Sequence, residues 1–70
     1  MSTNPDVAEL WQAAMSLGDL ERESAEEWVR LVNTGVNGFE ASRRIAAEYA
    51  GRLRMAEARY EIAVATYRRN

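Results

Sequence analysis

Asn33-Thr34-Gly35-Val36-Asn37-Gly38 is the stretch on which the fold turns. Two Asn and two Gly in six residues supply the chemistry of a helix C-cap followed by a reversal. Gly enters left-handed backbone conformations without a Cβ clash, and Asn side chains bond to neighbouring main chain. A link of this length suits two antiparallel helices. The segments on either side, residues 5–32 and 39–69, are nearly equal in length and both carry apolar residues at helical spacing. The expectation is an all-α antiparallel two-helix hairpin, one domain over residues 1–70, with the turn at 33–38.

Upstream of the turn, Asn4-Pro5-Asp6 is a helix start. Asn can cap, Pro suits the first helical position, and an acidic residue favours the positive end of the helix dipole. Val7, Leu10, Ala14, Leu17, Trp28, Leu31 and Val32 then read as one apolar stripe, with Gly18, Glu21 and Ser24 in or beside its centre. Ser24-Ala25-Glu26-Glu27 has the form of a capping box, and Gly18-Asp19 could end one helix and cap another. A continuous or kinked helix is expected because the stripe keeps phase, with a break near Gly18 as the alternative. Downstream, Ile45, Tyr49, Leu53, Ala56, Tyr60, Ala63 and Tyr67 form the second stripe, with Arg52 at its edge. At ~1.5 Å per residue that helix would run about 45 Å. Facing stripes would bring Leu10 or Trp11 to Tyr60 and Ala63, and Trp28 to Ile45.

The two halves differ in charge. Residues 1–38 hold seven acidic residues and two Arg, residues 39–70 seven Arg and four Glu, for a total of −2. In a hairpin centred near residue 36, residues whose numbers sum to about 72 face each other. The acidic cluster 19–27 then lies along Arg43 to Arg54, and Asp6 near Arg68 and Arg69. Exposed pairs contribute only ~0–1 kcal/mol each, but together they favour this antiparallel pairing over self-pairing of either segment. Glu21 and Arg52 project onto the two stripes nearly opposite one another, so a register-fixing salt bridge between them is expected. Within the second helix, Glu40–Arg44, Glu48–Arg52 and Arg54–Glu57 have the spacing of surface ion pairs.

Composition narrows the function classes. The chain has no Cys and no His, which removes disulfides, thiolate sites, the commonest metal ligand and the usual general base. No Gly-rich phosphate loop is present, and a helix pair gives its carboxylates no pocket that would separate their pKa values. No catalytic residue, cofactor site or metal site is expected, and the reading is not an enzyme. All nine basic residues are Arg, read mainly as the coding bias of a GC-rich genome. A dimeric nucleic-acid-binding regulator using the Arg-rich second helix is the alternative, weakened because its Tyr residues belong to the apolar stripe and its Arg residues are spread around the helix. An accessory subunit of a multi-chain enzyme is a further alternative. No apolar run reaches the ~20 residues of a membrane span. The first residues lack the pattern of a signal peptide, so the cytoplasm is the expected compartment.

What remains is a deficit of core. Size scaling gives about 11,500 Å² of unfolded surface and about 4,400 Å² for a compact fold of this mass, and burial on that scale roughly cancels the cost of ordering the chain. Meanwhile Trp11, Met15, Ala25 and Val29 flank the first stripe, and Ala47, Met55, Ala58 and Ile62 lie away from the second. A hairpin buries one face per helix, so these residues would be exposed, as interface residues are. The expected function is therefore a protein–protein interaction module (subunit, adaptor or inhibitor). It would complete a helical bundle on a protein partner or a second copy, with a dimer favoured.

Overall fold

The computed structural model describes residues 4–69; residues 1–3, read above for a leader, lie outside them. Helix α1 spans Pro5–Asn33 and helix α2 spans Gly38–Arg69, with no strand among the described residues. They pack as an antiparallel hairpin with extents of 52 × 21 × 13 Å.

Local chemistry sets the ends of both helices. Asn4 caps α1, its Oδ1 accepting from the Asp6 amide at 2.9 Å, and Pro5 takes the first helical position. At the other end Gly35 adopts φ 103°, a conformation that strains any residue with a Cβ. The Val36 amide donates to the Leu31 carbonyl and the Gly35 amide to the Val32 carbonyl, each at 3.1 Å. These two bonds are a Schellman closure. Asn37 then caps α2, accepting from the Glu40 amide through Oδ1 at 2.8 Å and from the Ala41 amide through its carbonyl at 2.9 Å. One residue ends the first helix and the next but one starts the second.

α1 passes through Gly18 as one unbroken helix. The capping-box reading of Ser24 fails because α1 is already formed there. Its hydroxyl donates back to the Glu21 carbonyl at 2.9 Å, which competes little with an intact helix.

The packed seam of α1 differs from the expected stripe. Leu10, Ala13, Leu17, Leu20, Ser24, Glu27 and Leu31 are buried or half-buried, an unbroken alternation of three- and four-residue steps. Val7, Ala14 and Trp28, placed in the core by the sequence reading, are exposed instead. On α2 the stripe holds for Ile45, Tyr49, Leu53, Ala56, Tyr60 and Ala63, gains Ala41 and Val64, and loses Tyr67 to solvent. Among the described residues, those buried outright are Ala13, Ala41, Tyr49 and Ala63, with Tyr49 and Ala63 keeping a trace of exposure. Three Ala residues let the helices approach closely, and they also leave the core thin. Contacts across the seam fall within a turn of the expected register: Trp28 Nε1 donates to Ser42 Oγ at 3.1 Å, and Tyr49 Oη to Glu23 Oε1 at 3.2 Å.

Candidate functional site

One flank of the seam is polar and joined across the hairpin. Arg59 grips Glu9 with two bonds, Nε to Oε2 at 2.8 Å and Nη2 to Oε1 at 2.9 Å, while Nη1 donates to Ser16 Oγ at 3.4 Å. Farther along the same flank Arg52 meets Glu23 at 3.7 Å, and its guanidinium lies 5.0 Å from the centroid of the Tyr49 ring. The hydrogen bond from Arg59 holds the Glu9 carboxyl below its ordinary pKa and raises that of Arg59 in return. Burial, then the bond to the Glu23 carboxylate, pushes the Tyr49 hydroxyl up.

Arg52 thus pairs with Glu23, not with Glu21 as expected. Two residues of helix rotate by about 200°, so Glu21 and Glu23 lie on opposite flanks of the α1 seam. Only the Glu23 flank faces Arg52, and Glu21 is exposed. Crossing to Glu23 also takes Arg52 away from Glu48. The Glu40–Arg44 pair forms at 3.4 Å, and Arg43 joins the same carboxylate at 3.6 Å.

Along this polar flank a groove of about 410 Å³ runs between the start of α1 and the end of α2. Apolar Met55, Ala58, Ile62 and Ala63 line it together with Asp6, Glu9, Arg59 and Thr66. Met55 and Ile62 stand three residues beyond Arg52 and Arg59, and they are 76% and 67% exposed.

The opposite flank belongs to α1. Moving from the packed seam away from Glu9, Ser16 and Glu23, α1 presents Val7, Ala14, Glu21 and Trp28, then Trp11, Gly18, Ala25 and Val32. Trp11 is 66% exposed, and Met15 and Val29 extend the patch around the back of the helix. Trp28 is anchored on one side only, by its bond to Ser42 and by contact with Gly38, where a Cβ would lie 3.4 Å from its ring.

All eight residues expected to meet a partner are exposed: Trp11, Met15, Ala25, Val29, Ala47, Met55, Ala58 and Ile62. The structure divides them. The α1 group borders the flank away from the ion pairs, and Met55 and Ile62 border the flank that carries them, so they do not form one patch. Phe39, 77% exposed in the first turn of α2, escaped the sequence reading because it precedes the α2 stripe. Among the described residues no three acidic side chains converge as a metal site, and no helix is long and apolar enough to cross a membrane.

Comparison with protein-family models, with curated proteins and with solved structures finds no match to the chain. The functional reading rests on the surface just described.

Proposed function

We propose that the chain is a small protein–protein interaction module that completes its core against another helical surface. The observation that carries this reading is the inversion of apolar surface. Trp11, Met15, Val29, Met55 and Ile62 lie in solvent, while the buried set among the described residues is three Ala and one Tyr. Exposed Trp and Met in contiguous patches are typical of interfaces. The arginines are mostly engaged within the chain, since Arg22, Arg30, Arg43, Arg44, Arg52 and Arg59 each meet a carboxylate. That leaves the nucleic-acid alternative little free basic surface.

The test is the isolated chain on dilution. Helicity and binding of a dye for exposed apolar surface should both depend on protein concentration, or on added partner, across about 1–100 μM. A cooperatively folded monomer that binds no dye over that range would overturn the proposal.

A further inference from the structure

The exposed flank of α1 carries a pattern of its own. Val7, Trp11, Ala14, Gly18, Glu21, Ala25, Trp28 and Val32, all exposed but the half-buried Val32, alternate steps of four and three residues along the helix. They form a second coiled-coil seam beside the one packed on α2. The order is nearly palindromic about the midpoint between Asp19 and Leu20. Val answers Val, Trp answers Trp, and Ala answers Ala, leaving Gly18 and Glu21 as the central pair. A surface that reads the same in both directions is what a two-fold interface requires, because each residue must meet its counterpart twice.

Resting on the interaction reading above, we infer that the partner is a second copy, docked by an antiparallel α1–α1 pairing in which Trp11 of each copy packs on Trp28 of the other. Ala14 then faces Ala25, and Glu21 lies over Gly18 of the second copy. Three further observations support this occupant. The chain exposes 5395 Å² against about 4,400 Å² for a compact fold of its mass, an excess near the ~800 Å² per partner that a standard interface buries. Charge selects the direction: parallel pairing in register would stack Glu21 on Glu21 and the 19–27 acidic clusters on each other. The antiparallel pairing sets each cluster along residues 12–20 of the second copy, where Asp19 is the only charge. Finally, a Cβ on Gly18 would meet nothing within 4 Å in the hairpin, so nothing within the chain calls for a residue that weakens a helix. Beneath Glu21 of a second copy, the missing side chain gives the carboxylate room.

The chain has no cysteine, so introduced thiols report the register. Copies carrying Ala14→Cys mixed with copies carrying Ala25→Cys should form a mixed disulfide on mild oxidation, and Ala14→Cys alone should not. In sedimentation, Trp11→Glu should weaken the dimer about 30-fold or more and move the concentration dependence of helicity to correspondingly higher protein. Glu21→Ala should tighten it about tenfold, and Met55→Glu should leave it unchanged. A disulfide from Ala14→Cys alone would mean parallel helices and overturn the inference. So would a dimer broken by Met55→Glu and not by Trp11→Glu, although an interaction module would remain. A dye-binding monomer that folds only with another protein would likewise overturn the second copy and keep the module. A cooperative, dye-free monomer would overturn both.

Discussion

Gly35 carries more of the fold than its size suggests. Its φ of 103° lets two amides turn back onto α1, and Asn37 starts α2 two residues later. Gly35→Ala has room for its methyl, so the penalty is backbone strain alone, about 1–2 kcal/mol. On a chain this short that lowers Tm by roughly 5–15 °C, measurable by circular dichroism. Gly51 gives the contrasting case. It sits exposed inside α2 with open space around its Cα, so Gly51→Ala should stabilise the chain by about 0.8 kcal/mol. If the two substitutions moved Tm in the same direction, the Schellman closure would not be the element that ends α1. Tyr49 matters through its hydroxyl. Burial and the Glu23 carboxylate raise its pKa above the ordinary 10.0, so the folded state resists its ionisation. The resulting stability is complete below pH 10 and disappears as pH rises through the folded value. Tyr49→Phe should flatten that alkaline loss in a pH series of melts.

At the scale of the element, the two helices were not equally legible. The turn, the Asn4 cap and most of the α2 stripe could be read directly, because cap chemistry is local and α2 carries one apolar seam; the Asn37 cap and the exposure of Tyr67 emerge only in the structure. α1 carries two, one residue apart, and an apolar stripe drawn through it takes Leu10, Leu17 and Leu31 from the packed seam and Val7, Ala14 and Trp28 from the exposed one. Ser24 and Glu27 hid the true seam further, since a hydrophobicity pattern passes over polar residues that are half-buried. Glu21 was matched to Arg52 for the same reason. The exposure of the residues expected to meet a partner followed from counting faces, but their division between two flanks did not. That division depends on which side of α1 receives Arg52 and Arg59. The small residues of the packed seam yield a prediction of their own. Ala13 and Ala41 have no accessible surface, so Ala13→Leu or Ala41→Leu should overpack the seam and cost about 1–3 kcal/mol. Ala14→Leu, one residue from Ala13 but exposed, should leave the stability of the hairpin within about 0.5 kcal/mol when measured at protein concentrations low enough to keep it monomeric. A denaturant titration of the three variants separates the seams. Equal losses at residues 13 and 14 would contradict the assignment.

For the whole molecule, acid is the informative perturbation. Hydrogen bonds from Arg59 and Arg30 hold the Glu9 and Glu27 carboxyls below the ordinary value of 4.5. The stability they lend is complete above pH 4.5 and declines as pH falls through the lowered values. Both pairs are solvent-screened, so the effect is modest and should shrink further at high salt. Arg59→Ala should remove the larger share of the salt-dependent part, because of these two pairs Glu9–Arg59 spans the two helices, whereas Glu27–Arg30 is a neighbour pair within α1. Melting in low and high salt at pH 5 and pH 3 checks the order. An Arg30→Ala variant more salt-sensitive than Arg59→Ala would reverse it.

The rod shape also has a kinetic side. Joining Trp28 to Ser42 closes a loop of 14 residues, whereas joining Glu9 to Arg59 closes one of 50. The longer closure costs about 1 kcal/mol more in chain entropy. Folding should therefore zip from Gly35 outward, and amide exchange should be fastest where α1 begins and α2 ends. The Met55–Ile62 groove and Trp11 both lie towards that fraying end. A partner seated on them, as proposed, would clamp the hairpin where it opens first.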